Sequence, residues 1–290
     1  MENKVKLLSV KLDIVFKLIF GDRRNTDILT SFLKSVLDIP EEEYERITIV
    51  DPHVKAEYMD DKYGILDVKI HTKSGNVVHA EIQVDPIREM GERVMYYQSK
   101  LVTEQIAGGQ DYAAIKKAVS IIITDYALLP GSGRYHHQFR YRTQDGVEFT
   151  DLVEINTLEL SKLPQEADKT DLWNWMRFIE TNDEEELKML ATKSPELKKA
   201  VGVLKELSAD EQMRMLAEAR EKARRDEVSR VNWARDEGIQ IGEKRGEKRG
   251  EKRGEKRGRI EIARKLLGRN RPIDEIIEIT GLTRNEIESL

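Results

Sequence analysis

The chain has 290 residues, enough for about two domains, and 36% of them are charged, against about a quarter in an average soluble protein. Cysteine is absent, which excludes disulfides, iron–sulfur clusters, thiolate zinc sites and thiol nucleophiles. A formal charge of −5 gives no global attraction to nucleic acid, so any such contact must come from a local patch. No run reaches the ~18 to 20 apolar residues of a membrane span, and residues 1–20 interleave lysines with apolar positions, so a cytosolic protein with no membrane partner is expected.

Aromatic residues divide the sequence. All but one of the 18 Phe, Trp and Tyr residues lie at or before Phe178, so the large packed core is expected in the N-terminal part. All five histidines precede residue 138, which confines imidazole chemistry to the same half. Val10, Leu12, Ile14, Val15, Leu18 and Ile19 recur at helical spacing until Gly21, and residues 25–37 read as a second helix. The period then changes: residues 47–50, 54–59, 64–72, 77–84 and 118–124 are short, β-branched and partly alternating, as strands are. Residues 88–107 read as a long helix between the last two strands, closed by Gly108 and Gly109. This order predicts an α/β core, a mixed sheet flanked by helices.

Beyond Pro164 the pattern is mostly helical. Ser194 and Pro195 read as an N-cap and first helical position, and Ser208-Ala-Asp-Glu211 as a capping box for a helix over 213–228. Over residues 242–258, Gly-Glu-Lys-Arg repeats four times and a fifth glycine closes the array, with four more positive than negative charges. On a helix these glycines trace a stripe drifting across about 160°. They cost a helix about 4 to 5 kcal/mol relative to alanine, while the Lys–Glu pairs return a few tenths each. Alone, the array is expected to fray; self-association along the stripe, phosphate contact or a linker role are the alternatives. Residues 260–267 resume an amphipathic helix, and residues 272–280 and 283–290 form a last pair around Gly281, with a capping box at Thr283-Arg-Asn-Glu286. The pair has a helix-turn-helix outline, but its second helix is short and carries Glu286 and Glu288, so a small interaction module is expected instead of a groove reader.

The most informative segment is Gly64-Ile-Leu-Asp67-Val-Lys69-Ile-His71, followed after a turn by Val77-Val-His79-Ala-Glu81-Ile-Gln83-Val84. Leu66, Val68 and Ile70 share one face and Asp67, Lys69 and His71 the other; Val78, Ala80, Ile82 and Val84 oppose His79, Glu81 and Gln83. Hairpin register must match these faces. A three-residue loop Ser74-Gly75-Asn76 does so, setting Asp67 opposite Gln83 and Lys69 opposite Glu81 and bringing Asp67 and Glu81 to within about 7 Å as diagonal neighbours. Two carboxylates that close favour a cation between them, and hard oxygen ligands suit Mg²⁺, which keeps other sites for water and phosphate. Such an ion polarises a phosphoryl oxygen and acidifies a bound water, the two tasks of phosphodiester hydrolysis. A hairpin with an ordinary solvated polar face has the same alternation.

Asp67 followed by Glu81-x-Gln83 resembles the PD-(D/E)XK nuclease superfamily, in the Glu-x-Gln form of the Rpn recombination-promoting nucleases, also known as YhgA-like transposases. The resemblance extends to Asp13-Ile-Val-Phe16-Lys17-Leu-Ile-Phe20-Gly21 with Phe32 and Leu33 after it, Arg93-x₃-Tyr97, Gly109-Gln-Asp-Tyr112, Glu154-Ile-Asn-Thr-Leu-Glu159-Leu, Trp173, the Gly-rich charged segment and Thr280-Gly281-Leu282-Thr283. It implies a restriction-endonuclease-like core with a helical C-terminal region, and Asp67 and Glu81 as ligands of Mg²⁺ or another divalent cation. Gln83 takes the usual lysine position, where it orients water without a positive charge. Lys69 is a candidate for that charge, or an exposed sheet lysine. Asp13 resembles the acidic residue of the first helix, or is an N-cap. Arg93 and Tyr97, one helical turn apart, and Lys17 are candidate DNA contacts; Arg93 and Tyr97 also read as a stacked surface pair. His79 sits at the edge of the site.

The expected organisation is a nuclease-like core over 1–163, a helical subdomain over 164–236, the repeat segment over 237–259 and an interaction module over 260–290. The expected function is metal-dependent DNA endonuclease, acting in recombination or on mobile or foreign DNA, with homo-oligomerisation, as a dimer, through the C-terminal helices. The alternative is a catalytically weak or silent nuclease-like protein that binds DNA or a partner.

Overall fold

The computed structural model describes residues 6–50 and 68–290. Contacts divide the chain into two compact units, Met1–Glu221 and Lys222–Leu290. In the first, helices α1 (Asp13–Phe20) and α2 (Thr26–Val36) precede strands β1 (Thr48–Val50), β2 (Val68–His71) and β3 (Val77–Gln83). Helix α3 (Met90–Thr103) leads to β4 (Ala118–Thr124), then β5 (His136–Arg142) and β6 (Glu148–Glu159), and helices α4 (Asp171–Glu180), α5 (Glu184–Leu190) and α6 (Pro195–Ala209) follow. The six strands form one mixed sheet in the order β1-β2-β3-β4-β6-β5, with β3, β4 and β6 parallel and the other pairs antiparallel. The expected strand over 54–59 lies outside the described residues.

Each sheet face has its own cover. Val78, Ala80, Ile82, Val119, Ile121, Ile123 and Leu158 pack into one core with α1, α2, α4, α5 and α6. Phe16, Phe20, Phe32, Trp175 and Phe178 interlock within it, with ring centroids 4.7 to 6.5 Å apart. Helix α3 covers the opposite face through Met90 and Val94 on Ile122, and Leu101 on Val77 and Ala118. Gln98 fixes it there, donating to Ala118 O at 2.8 Å and accepting from Ser120. All seven residues of β4 are consequently buried, as expected of a central strand covered on both sides.

The β2–β3 register differs from the expected one by two residues. Val68 pairs with Ala80, Lys69 with His79 and His71 with Val77, and Thr72 N donates to Asn76 O at 3.0 Å. The loop therefore has the expected three residues, but they are Lys73, Ser74 and Gly75. In such loops the last residue takes a left-handed conformation, and Gly75, at φ +91°, supplies it. A slip of two leaves the faces unchanged. It does correct the pairing of Lys69, which stands opposite His79 and not Glu81.

Helix α7 (Glu211–Leu267) runs through both the end of the first unit and the repeat array. Its start corrects another expectation: Asp210, not Ser208, accepts from Met213 N, at 2.9 Å. Ser208 is buried within α6, where it donates to Leu204 O and accepts from Leu8 N. The array is helical, with each glycine facing open space. In the second unit, Ala263 packs with Ile276, Leu282 and Ile287 of α8 (Ile273–Thr280), α9 (Arg284–Glu288) and their connection. Gly281 closes α8 at φ +64°, and the capping box of Thr283 and Glu286 opens α9.

Candidate active site

Glu81 lies on the α3-covered face of β3 and is buried. α3 places Arg93 over it: the guanidinium donates to Glu81 Oε1 at 3.0 Å and lies 4.9 Å from the centroid of the Tyr97 ring. The i, i+4 spacing of Arg93 and Tyr97 makes this stacking possible. An aromatic face holds a guanidinium plane without consuming its N–H donors. Arg93 is about five-sixths buried, with a side-chain exposure of 16%. A carboxylate and a cation thus meet in a site largely withdrawn from solvent, where charge interactions exceed those at the surface.

Gln83, one pleat further on the same face, donates from Nε2 to Asp85 O at 3.0 Å. That bond fixes the amide and leaves its Oε1 as an acceptor. Asp125, just past the neighbouring parallel strand, donates its N–H to Gln83 O at 3.2 Å and pairs through its carboxylate with Lys11 Nζ at 2.9 Å.

The other candidates are distributed differently. Asp13 is the first residue of α1, not its N-cap, which is Leu12; its carboxylate accepts from Ile14 N at 2.7 Å and lies 4.0 Å from Arg220. Lys69 Nζ lies 3.5 Å from Glu104, so its charge is directed to the end of α3. Lys17 is half-buried near the start of β2: a Cβ on Gly21 would meet both the Lys17 side chain and Val68 within 3.4 Å. His79 is buried beside Glu81's strand position, opposite Lys69 and Ser120. Asp67 lies outside the described residues. The structure therefore brings Arg93 and Tyr97 to Glu81.

Sequence reasoning missed Tyr126, Lys11 and Asp125. Burial raises the Tyr126 phenol above its usual range; the Glu81 charge adds to that shift and Arg93 opposes it. The available signal was positional, since ligand sites form beyond the carboxyl ends of parallel strands. β4 aligns Ile122 with Glu81 and Thr124 with Gln83, and Asp125 and Tyr126 follow at once.

Among the described residues no group of three or more His, Asp or Glu side chains converges as a metal cage. Mg²⁺ does not require one, because it usually keeps several waters and binds through one or two carboxylates. Glu81 supplies an oxygen donor of the required kind. Among the described residues no helix is long and apolar enough to cross a membrane.

A family model described as PD-(D/E)XK nuclease family transposase matches residues 10–234. Comparison with curated proteins and with solved structures gave no match. The matched span contains all six strands, the crossover helix and the Glu81–Arg93 pair, and it covers well over half of the sequence. The chain belongs to the PD-(D/E)XK nuclease family of transposases.

Proposed function

We propose that the protein is a metal-dependent DNA endonuclease whose site is built on Glu81, Asp67, Gln83 and Arg93. The observation that supports this reading is the buried contact between Glu81 and Arg93, a carboxylate of the kind that ligates a divalent cation and a guanidinium of the kind that binds phosphate, 3.0 Å apart on the α3-covered face of the sheet. A bound divalent cation, Mg²⁺ in the first instance, supplies phosphoryl polarisation and a more acidic water. Glu81 and Asp67 are the carboxylates that hold it. Gln83 Oε1 accepts a hydrogen bond from the attacking water and so fixes its line of approach. Arg93, oriented by Tyr97, turns its fork of N–H donors from Glu81 toward a non-bridging phosphate oxygen, for which a guanidinium is well matched. Lys17 adds a backbone-phosphate contact. Attack in line leaves a 5′-phosphate. DNA recombination, or action on mobile or foreign DNA, is the setting proposed for this chemistry.

The C-terminal helices are proposed as the means by which two chains assemble, because five glycines on one helix with nothing within 4 Å of their Cβ positions allow close approach of a second helix. The test of the catalytic reading is conversion of supercoiled plasmid to nicked and linear forms by the full chain. Cleavage in Mg²⁺, abolished by EDTA and leaving ends that ligase accepts, supports it. Plasmid binding without cleavage at any divalent metal favours the silent, DNA-binding alternative, to which the glutamine at position 83 also points.

A further inference from the structure

A second polar cluster lies on the Glu81 face of the sheet, toward its opposite edge. The ladder aligns Glu81 with Ile122, Thr157 and His137, so His137 stands three strand spacings, about 14 Å, from Glu81. The β4–β5 connection folds Gly131-Ser132-Gly133 beside it. Ser132 N donates to Leu129 O at 3.0 Å and Arg134 N donates to Ser132 Oγ at 3.2 Å, a turn that holds the hydroxyl 2.7 Å from His137 Nε2. On the other side of the ring, His137 Nδ1 is 3.6 Å from Glu159 Oε1. Glu159 is fully buried, and its second oxygen is held by Lys162 Nζ at 2.6 Å and Leu129 N at 3.3 Å.

The tautomer follows from satisfaction of polar groups. His137 Nδ1 and Glu159 Oε1 are both buried and have no hydrogen bond of normal length to any other group. A carboxylate oxygen only accepts, so Nδ1 carries the proton, and closing the gap by a few tenths of an ångström satisfies both atoms. Nε2 then has its lone pair directed at the Ser132 hydroxyl. Hydroxyl, imidazole and buried carboxylate stand in the order that makes a serine nucleophilic. A Cβ on Gly131 or Gly133 would meet nothing within 4 Å, so both flanks of Ser132 are open to a ligand. The turn uses the N–H groups of Ser132 and Arg134; the Gly133 N–H follows Ser132 directly in the chain, and in α/β-hydrolases the N–H of the residue after the nucleophile stabilises the oxyanion.

We propose that Ser132, His137 and Glu159 form a second hydrolytic site, of acyl-transfer type, for small unhindered carboxylic esters. Ser132 Oγ bonds to the acyl carbon as its proton passes to His137 Nε2. The ester C–O bond breaks, and the same proton goes to the departing alkoxide. Water, deprotonated by His137, then releases the carboxylic acid and restores the serine. Glu159 is a positioning residue that holds the ring and its tautomer.

The test uses the full chain with a fluorophosphonate, which phosphonylates an activated serine with loss of HF, and separately with p-nitrophenyl acetate. One label per chain on Ser132, located by peptide mass spectrometry, is expected, with release of p-nitrophenolate. Ser132→Ala removes both while plasmid cleavage and melting temperature stay as in the parent. His137→Gln slows labelling about a hundredfold or more. Glu159→Gln lowers kcat and leaves KM unchanged. A parent chain whose Ser132 reacts no faster than the exposed Ser74 overturns the proposal, as does His137→Gln labelling at the parent rate.

Discussion

Replacing Glu154 with glutamine tests how the sheet beneath the site is held. The carboxylate is 1% exposed and lies on β6. It accepts from Lys117 Nζ at 2.8 Å, Gln138 Nε2 at 2.7 Å, Asn156 Nδ2 at 3.0 Å and Arg140 Nε at 3.1 Å. Burial by itself would raise its pKa, but the donors, led by Lys117 and Asn156, win and hold it below the usual carboxylate range. Glu154→Gln keeps the shape and strands two partly buried cations, a change that costs about 3 to 5 kcal/mol for buried pairs. Side-chain exposures of 16% for Lys117 and 25% for Arg140 give both some access to water, which favours the lower end, about 3 kcal/mol. For a unit of this size that corresponds to a fall of roughly 6 to 12 °C in melting temperature. The pH dependence has a defined sign. Because the folded pKa is depressed, the stabilisation is complete above the unfolded value of about 4.3 and is lost as pH falls through the lower folded value. Denaturant titrations of parent and variant should therefore differ fully at pH 7 and converge in acid. A difference below about 1 kcal/mol at pH 7, or one that does not shrink in acid, refutes the reasoning.

Gly21→Ala places a Cβ 2.8 Å from Lys17 O and 3.3 Å from Val68, and should cost about 1 to 3 kcal/mol in a denaturant titration by prising α1 from β2. Arg93→Lys keeps the charge but loses the planar fork stacked on Tyr97; single-turnover plasmid cleavage should slow about tenfold to a hundredfold, with the melting temperature changed little. Converting the glycines at 242, 246, 250, 254 and 258 to alanine introduces no clash and should raise helix stability by about 4 to 5 kcal/mol, seen as sharper thermal loss of helical circular dichroism. The same variant should sediment as a smaller species than the parent if the glycines serve close approach between chains.

The alternation in β3 was legible because one side of the strand is uniformly apolar and packs against α1 and α2. The caps at Ser194 and Thr283 were legible because a single side chain and its own backbone suffice to make them. β5 and the length of β6 were not. The buried residues of β6 include Glu154 and Asn156, and Glu154 accepts from Asn156 and from Gln138 and Arg140 of the largely exposed β5, so burial there carries no hydrophobic period. The hairpin register depended on which loop position needs a positive φ, a demand that Gly75 meets only in third place. At the site, Glu81 was visible from its strand pattern, while its contact with Arg93 depended on how α3 crosses the sheet. Tyr126 and the Lys11–Asp125 pair arise from strand order and leave no local motif.

The most direct test of the central claim is the single-turnover rate of supercoiled plasmid cleavage in Mg²⁺ by the parent chain and by Glu81→Ala, measured side by side. Loss of the carboxylate should slow cleavage by about a thousandfold or more while the variant still binds plasmid. Cleavage by Glu81→Ala at the parent rate would contradict the account.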